Sequence, residues 1–197
     1  MVSAVILAAG KSERYGRNKL MLPLGGKKLI EVILETVAAV GFDEVVMVYG
    51  EEIVGKMAQK FQIRTVLNPE SNLGLSKSVK YGIEALKRET EGIMFFLGDQ
   101  PNIKREIILE LIEVFLEDPK KIVVPTCNRV PGNPVIFPQK YSKILTGLTG
   151  DQGGKQIIAN LDQGVVYHRV QDGDFCTDID TPEDYEKFLY KKMSEEV

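Results

Sequence analysis

Short apolar runs alternate with amphipathic segments along the first part of the chain. The apolar runs have the length and the β-branched content of buried strands, at residues 3–8, 45–48, 63–67, 93–97 and 122–124. Between them, apolar residues recur at helical spacing, which predicts helices around residues 30–40, 51–61, 76–86 and 107–116. Because the strands are largely apolar rather than alternating, the pattern predicts an α/β fold whose mostly parallel central sheet is covered by helices on both faces.

Two of these helices carry more specific predictions. Ser76 is placed to cap one of them, and its inner face would contain Val79, Ile83 and Leu86. The helix after the 93–97 strand is strongly amphipathic. Its apolar face is predicted to consist of Ile107, Ile108, Leu111, Ile112, Phe115 and Leu116.

The second half of the chain lacks this regular alternation of strands and helices. Residues 130–138 contain three prolines, which predicts an irregular segment with one short strand at an edge of the sheet. A glycine-rich loop at 147–154 precedes a short helix, and residues 164–170 read as a further strand. Thr181 and Pro182 then start a final helix as N-cap and first helical residue. Since no linker or repeat appears, we expect a single domain over residues 1–197.

Composition narrows the functional classes. The chain has 197 residues, hydrophobic residues make up 44%, and the formal net charge is −3, which argues against bulk nucleic-acid binding. Cys127 and Cys176 form neither a disulfide framework nor a zinc motif, and with His168 as the one histidine we assign none of the three a catalytic role. The apolar start is too short for a signal peptide, and no run has the length of a membrane span. A cytoplasmic protein is expected.

The loop after the first strand is the first candidate for chemistry. Gly10 and Gly16 would allow turns that a Cβ would forbid and bring backbone N–H groups close to a ligand. Six cationic side chains lie between Lys11 and Lys28, against one acid, Glu13. Such a loop suits a polyphosphate, although neither a Walker A nor a Rossmann glycine motif is present. The alternative is an ordinary basic surface loop.

Two acidic positions complete the predicted site. Asp99 directly follows the apolar 93–97 run, and the carboxyl ends of strands are where open α/β sheets place ligands. A carboxylate there suits Mg²⁺, with support of the turn at residues 98–101 as the alternative role of Asp99. Asp178 and Asp180 alternate on an extended stretch and could share one ion, with helix capping as the alternative. Carboxylates meeting at one edge would repel each other, and a divalent ion would relieve that repulsion.

The loop resembles, closely, the L-A-A-G-x-S-x-R-x-G-x-x-K opening of the MobA-like nucleotidyltransferases. The matching residues are Leu7, Ala8, Ala9, Gly10, Ser12, Arg14, Gly16 and Lys19. The resemblance implies a Rossmann-like three-layer α/β/α fold and a loop that wraps a nucleotide triphosphate, with Lys11 included in that site. It also implies catalytic roles for Arg14 and Lys19, which would balance phosphate charge. Ala9 favours the cytidylyltransferase branch, since the guanylyltransferase branch usually has a second glycine there.

The acidic segments resemble the same family. Residues 97–101 look like the L-G-D-Q-P segment of cytidylyltransferases of molybdenum cofactor biosynthesis, in which the aspartate binds the catalytic magnesium. The resemblance therefore implies that Asp99 is a metal ligand and that Gly98 lies beside the nucleotide. Residues 178–184 match D-[IV]-D-T-P-E-D, which implies Asp180 near the metal, with Asp178 as the alternate ligand.

Three further segments match the branch. The turn beside the nucleotide base and ribose is implied to be Gly74, Leu75 and Ser76. The side that binds the acceptor is implied to contain Gly132, Asn133, Pro134, Asp151, Gly153 and Lys155. Asn133 stands where the family commonly has histidine, and Lys155 where arginine is more usual. The acceptor is therefore less well specified than the nucleotide.

Taken together, the resemblance implies a magnesium-dependent enzyme that transfers CMP from CTP to the phosphate of molybdopterin and releases pyrophosphate. A molybdenum hydroxylase or its maturation proteins would be the protein partners, with no nucleic acid and no membrane. Two alternatives stay open. One is the same chemistry with GTP or with a sugar-phosphate acceptor, and the other is a non-catalytic nucleotide-binding protein of cofactor maturation.

Overall fold

A mostly parallel sheet forms the centre of the molecule. The computed structural model describes residues 1–10, 15–16, 18–161, 163–172, 174–175 and 177–195. Within these residues the strands are β1 (Val2–Ala8), β2 (Pro23–Leu24), β3 (Lys27–Lys28), β4 (Val45–Tyr49), β5 (Arg64–Leu67), β6 (Gly92–Leu97), β7 (Ile122–Cys127), β8 (Val130–Pro131), β9 (Val135–Pro138) and β10 (Val165–Arg169). The sheet runs in the order β10-β7-β9-β6-β1-β4-β5, with β8 paired to β7. β2 and β3 form a separate two-stranded sheet.

Strand direction sets the position of the loops. β1 pairs in parallel with both β4 and β6, β4 with β5, and β7 with β10, whereas β9 is antiparallel to β6 and β7. The carboxyl ends of the parallel strands therefore share one edge of the sheet, and the loops that follow β1, β4, β5 and β6 lie side by side there.

Helices cover both faces of the sheet. They are α1 (Leu29–Ala38), α2 (Glu52–Gln59), α3 (Leu75–Ala85), α4 (Arg105–Glu117), α5 (Ser142–Thr146), α6 (Gly154–Ala159) and α7 (Pro182–Glu195). Buried residues of α1, α2, α4 and α7 belong to one hydrophobic cluster, and those of α3, α5 and α6 belong to a second. Two cores separated by a sheet make the predicted three-layer α/β/α arrangement.

β1 explains why both faces need a cover. Its successive side chains point to opposite faces, so Ala4, Ile6 and Ala8 join the first core while Val5 joins the second. Ala9 continues the second face just beyond the strand. A strand that is apolar at every position except Ser3 fits the middle of such a sheet, and the prediction of a buried first strand is confirmed.

The prediction of an edge strand within residues 130–138 is wrong. β9 lies between β6 and β7, near the middle of the sheet. The prolines do not interrupt it because Pro134 precedes the strand and Pro138 is its last residue. Neither proline therefore removes an N–H group from the inner ladder. The pairing of Met94 with Ile136 places this strand antiparallel beside β6.

Two predictions about helices need correction, and a third is confirmed. Gly74 is the N-cap of α3, so Ser76 lies inside the first turn, and its buried hydroxyl has no hydrogen-bond partner among the described residues. Leu116 of α4 is 51% exposed and lies outside the packed face. Thr181 does cap α7, because its hydroxyl accepts a hydrogen bond from the Asp184 N–H and its own N–H donates to the Asp184 carboxylate.

No helix in the described part of the chain combines the length and the apolar character that crossing a membrane requires.

Candidate active site

The carboxyl ends of β1 and β6 meet where the two central strands pair. Leu7 lies opposite Leu97, and the Gly98 N–H donates a hydrogen bond to the Leu7 carbonyl at 3.0 Å. A Cβ at Gly98 would lie 3.3 Å from the Cβ of Ala8, which is a tight approach. A glycine at this position therefore lets the chain leave β6 close to β1, and the next residue, Asp99, emerges at the edge of the sheet.

A backbone contact brings the second acidic segment to the same place. The Ile179 N–H donates to the Asp99 carbonyl at 3.2 Å, and the Ile179 side chain is completely buried. Asp180 therefore follows directly from an anchored residue. On the other side, the Tyr15 hydroxyl donates to the Thr181 carbonyl, and this contact joins the end of the first loop to the acidic segment. Desolvation raises the pKa of Tyr15, so this donor stays protonated.

Lys19 reaches the acids from a short 3-10 turn, Lys19–Met21. The Asn18 side chain caps this turn by accepting a hydrogen bond from the Leu20 N–H at 3.0 Å, and Leu20 is buried. The base of the lysine is thereby fixed. Its Nζ lies 2.7 Å from Asp99 Oδ2 and 2.7 Å from Asp180 Oδ1, so one ammonium bridges two carboxylates.

The electrostatics of this triad follow from its burial. The Lys19 side chain is 13% exposed, the Asp99 side chain 21% and the Asp180 side chain 52%. Burial would lower the pKa of Lys19, but its interactions with Asp99 and Asp180 outweigh burial and raise it. Lys19 is therefore held protonated. The sequence predicts that a divalent ion relieves the repulsion between the two acids, and in the structure the Lys19 ammonium lies between them.

Asp178 has a different environment from Asp180. Its carboxylate accepts a hydrogen bond from the side-chain amide of Gln100, which is buried. Desolvation raises the pKa of Asp178; the Gln100 amide opposes that rise, while the charges of Asp99 and Asp180 add to it. The three acids are thus close enough to interact, but Asp178 faces Gln100 whereas Asp180 faces Lys19.

The donor chemistry of the triad suits a hard divalent cation. Within the described residues, no three histidine, cysteine, aspartate or glutamate side chains are grouped closely enough to hold a metal by themselves. Mg²⁺, however, is usually held by one or two carboxylates together with substrate phosphates and water. Asp99 and Asp180 already share one cationic partner, so two carboxylate oxygens converge on a single point. This pair fits a magnesium ion that the substrate helps to coordinate.

The predicted nucleotide turn packs directly on the glycine-rich loop of the second half. Gly74 has φ of 102°, and a Cβ there would lie 2.2 Å from the backbone carbon of Gly150. The Ser76 N–H donates to the Gly150 carbonyl at 3.1 Å. A Cβ at Gly153 would come within 2.9 Å of the Leu75 side chain. The structure therefore joins the predicted base-and-ribose turn to the predicted acceptor loop.

The other predicted acceptor segment enters the sheet next to β6. Because Val135 lies opposite Phe95, residues 132–134 precede β9 beside the carboxyl end of β6, on the same edge as Asp99. The Gly132 N–H donates to the Pro125 carbonyl at 2.9 Å, which fixes the turn. Asp151 and Lys155, in contrast, are both exposed. Their roles stay predictions.

Some predicted residues receive no structural account. Lys11, Ser12 and Arg14 lie outside the described residues, as does Cys176. Of the two loop glycines, Gly16 has φ of 62° and needs the conformational freedom of glycine.

Gly10 behaves differently from the prediction made for it. It lacks a positive φ, and a Cβ placed there would meet no described atom within 4 Å. The packing of the described residues therefore gives no steric reason for glycine at this position.

Sequence reasoning also missed contributors to this site. Gln100 positions Asp178, and Tyr15 ties the loop to the acidic segment. Gly50, after β4, lies so close to the first loop that a Cβ would come within 3.1 Å of the Ala9 carbonyl oxygen. A polar residue between an apolar strand and Pro101 was a usable signal for Gln100. The contact between Gly50 and Ala9 depends on strand order, which periodicity alone does not give.

The family model described as the MobA-like NTP transferase domain matches residues 4–165 of the chain. The chain belongs to the MobA-like NTP transferase family. The match extends from within β1 to the start of β10, and it includes the loop after β1, Asp99 and both predicted acceptor segments. The chain is thus a nucleotidyltransferase, as its first loop and its L-G-D-Q-P segment led us to expect.

Similar proteins carry names that state different functions. The chain is 30% identical over 194 residues to the purine catabolism protein PucB of Bacillus subtilis, a match that covers 92% of this chain and 93% of that protein. It is 24% identical over 188 residues to the molybdenum cofactor cytidylyltransferase of Escherichia coli, with 93% of each covered. It is 35% identical over 134 residues to a probable molybdenum cofactor guanylyltransferase of Natranaerobius thermophilus, which covers 64% of this chain and 61% of that protein.

Solved structures share the fold over nearly the whole chain. A homologue of Rv0371c from Mycobacterium sp. strain JC1 has a TM-score of 0.85 and 29% identity, with 98% of this chain and 97% of that chain covered. Rv0371c of Mycobacterium tuberculosis, in its complex with manganese, has a TM-score of 0.82 and 24% identity, with 96% and 98% covered. These similarities confirm the predicted fold class.

Proposed function

We propose that this chain transfers CMP from CTP to the phosphate of molybdopterin, with Mg²⁺ as cofactor and pyrophosphate as the second product. The observation that carries the proposal is the convergence of Lys19, Asp99 and Asp180 at the edge where the predicted nucleotide and acceptor segments also lie. One lysine and two carboxylates at this edge of the sheet suit a substrate whose negative charge is neutralised by the lysine and by a divalent ion together.

The protein would contribute to this reaction mainly by positioning the two reacting phosphates. An oxygen of the acceptor phosphate attacks the α-phosphorus of CTP, a new oxygen–phosphorus bond forms, and the bond to the β-phosphate oxygen breaks as pyrophosphate leaves. A phosphate dianion carries no proton that must be removed first, so no general base is required. Placing the two phosphates in line therefore supplies much of the rate enhancement.

Charge neutralisation supplies the rest. Mg²⁺, when bound to Asp99 and Asp180, would neutralise charge on the α- and β-phosphates. Lys19 stays protonated, and the Asn18-capped turn fixes its backbone. Its ammonium can therefore stabilise the negative charge that develops on the phosphates in the transition state, without any movement of the backbone. Asp180 is favoured over Asp178 as the second ligand because Gln100 already engages Asp178.

The choice of CTP rests on the first loop and on the L-G-D-Q-P segment. Ala9, at the position of a second glycine in the guanylyltransferase branch, is 5% exposed and lies against Gly50. A GTP-using enzyme is the competing assignment, favoured by the 35% identity to a probable guanylyltransferase over 134 residues. A non-catalytic nucleotide-binding role is the second alternative.

Pyrophosphate release and nucleotide binding together test these assignments. With Mg²⁺ and molybdopterin, we expect the full chain to release pyrophosphate from CTP at least about tenfold faster than from GTP, and calorimetry to rank CTP affinity above that for GTP. Faster release from GTP would reassign the base. Binding of CTP with no pyrophosphate release, when molybdopterin is present, would support the non-catalytic alternative.

A further inference from the structure

We infer that Lys19 and a divalent cation compete for the same two carboxylate oxygens, so that Lys19 suppresses metal binding until a nucleotide triphosphate draws the lysine away. The inference rests on the proposed function, because it assigns Asp99 and Asp180 as the metal ligands. It goes beyond that function by giving Lys19 a second role, as the residue that couples metal binding to nucleotide binding.

Geometry makes the two cations mutually exclusive. Nζ of Lys19 lies 2.7 Å from Asp99 Oδ2 and 2.7 Å from Asp180 Oδ1. A magnesium ion bonds carboxylate oxygens at about 2.1 Å, so an ion that bonded these same two oxygens would lie within about 5 Å of the ammonium nitrogen. Two cations repel strongly at that separation inside a partly desolvated site. The ammonium must therefore withdraw when the ion binds.

Lys19 is a strong competitor because its position is held from both ends. The Asn18 cap and buried Leu20 fix its backbone, while two carboxylates hold its ammonium. Its side chain is only 13% exposed, so withdrawal without a new anionic partner would cost both ion pairs. Lys104 offers a contrast, since its ammonium pairs with Asp172 at 2.7 Å but its side chain is 63% exposed.

A triphosphate supplies the missing partner. Its phosphate oxygens can receive the Lys19 ammonium, which then leaves Asp99 and Asp180 for the ion. Because such coupling is reciprocal, nucleotide raises metal affinity and metal raises nucleotide affinity. Without nucleotide, the ion has to displace an ion pair that is already satisfied. The expected consequence is weak binding of a divalent metal alone.

The test is a titration with Mn²⁺ alone, read by the electron paramagnetic resonance signal of the unbound ion, on the full chain without nucleotide. We expect Lys19→Met to bind Mn²⁺ at least about tenfold more tightly than the wild type, within the usual range of coupling between two sites. Lys19→Arg keeps the positive charge and should bind as weakly as the wild type. Lys104→Met removes a lysine ion pair elsewhere and should also match the wild type.

Unchanged or weaker Mn²⁺ binding by Lys19→Met would overturn the inference. If Lys19→Met fails to give the cooperative melt of the wild type, Lys19→Gln replaces it in the same titration with the same two outcomes. The titration contains neither CTP nor molybdopterin. A wrong base or acceptor would therefore appear in the pyrophosphate assay and leave the Mn²⁺ result unchanged, whereas an error about Lys19 would appear in the titration alone.

Discussion

At the residue scale, three acidic side chains of the site are held by one lysine and one glutamine. Lys19 balances Asp99 and Asp180, and Gln100 takes the third acid, Asp178, by a hydrogen bond. Two of the acids thus share one lysine and the third has its own partner, although all three lie close together. A pair of acids that would otherwise repel becomes a stable arrangement because a protonated lysine lies between them.

Replacement of Asp99 tests this balance. Asp99→Asn removes the less exposed of the two Lys19 partners, so we expect it to lose most pyrophosphate release. We also expect its melting temperature to fall by roughly 2–4 °C, the shift that about 1 kcal/mol produces in a chain of this length. Asp180→Asn should lose activity with a smaller thermal shift, since Asp180 is 52% exposed. Pyrophosphate assays and metal-free thermal melts measure both effects.

Asp184→Asn is the matched control for these two variants. Asp184 belongs to the same acidic segment, but its carboxylate accepts hydrogen bonds from the Asp180 and Thr181 N–H groups and the Thr181 hydroxyl, and the amide oxygen of asparagine can still accept them. We expect its pyrophosphate release to stay near the wild-type rate. If Asp99→Asn instead melted above the wild type without metal, the acids would repel without effective compensation and the role given to Lys19 would be wrong.

Much of this residue-scale picture was predictable, and the rest was not. The family motifs predicted that Lys19, Asp99 and Asp180 belong to one site, because the resemblance covers segments that are distant in the chain. The bridging position of Lys19 was missed, since it depends on distances between side chains that lie on three separate elements. Gln100 was missed as a positioning residue for the same reason.

At the element scale, periodicity predicted most strands and helices, and the errors have local causes. β9 was predicted at an edge because three prolines suggested missing hydrogen bonds, but the prolines within or beside it fall at its ends. The start of α3 was placed wrongly because Ser76 is a good capping residue in general. In the structure Gly74 occupies the cap with a φ of 102°, and it lies so close to the 150 loop that a Cβ would clash there.

The contact between these two segments predicts the effect of Gly74→Ala. Alanine rarely adopts a φ of 102°, and its Cβ would lie 2.2 Å from the backbone carbon of Gly150. Either the turn or the loop must move, so we expect a cost of about 3 kcal/mol or more and a melting temperature lower by roughly 6–12 °C. Nucleotide affinity should fall as well, because the turn carries Leu75 and Ser76. Thermal melts and calorimetry with CTP measure the two effects.

Gly147→Ala provides the matched control in the same region. It has an ordinary φ of −86°, and an added Cβ would lie 3.4 Å from the Ile144 carbonyl oxygen, a normal contact. We expect its melting temperature within a few degrees of the wild type. Equal stability of Gly74→Ala and Gly147→Ala would contradict the close packing described for the 74 and 150 segments.

At the scale of the whole molecule, the order of the strands brings the predicted site residues together. The pairing of β1 with β6 brings the start of the first loop close to Asp99, and β9 places the predicted acceptor segment next to β6. The parallel class of the sheet followed from apolar strands alternating with helices. The order of the strands did not, because pairing between distant segments leaves no trace in local periodicity. A single domain over residues 1–197 stays a prediction.

The opposite edge of the sheet is held by Glu44, which predicts a pH dependence of stability. Its carboxylate accepts hydrogen bonds from the Lys87 and Arg88 N–H groups at 2.8 and 3.0 Å and pairs with Arg64. Burial would raise the pKa of Glu44, but these backbone hydrogen bonds and the Arg64 charge outweigh burial and lower it. Glu44 therefore stabilises the fold fully above about pH 4.5, and this contribution is lost as pH falls through the lowered pKa.

Glu44→Gln should accordingly be less stable than the wild type by about 1–3 kcal/mol at pH 7, because a neutral amide replaces a carboxylate that accepts several hydrogen bonds. The difference in the free energy of unfolding should shrink as pH falls below about 4.5, since the wild-type group becomes protonated in both states. Urea unfolding at pH 7, 5, 4 and 3 measures it. Glu117→Gln, an exposed change on α4, should match the wild type at every pH. A constant gap between Glu44→Gln and the wild type down to pH 3 would show that Glu44 acts through packing and not through its charge.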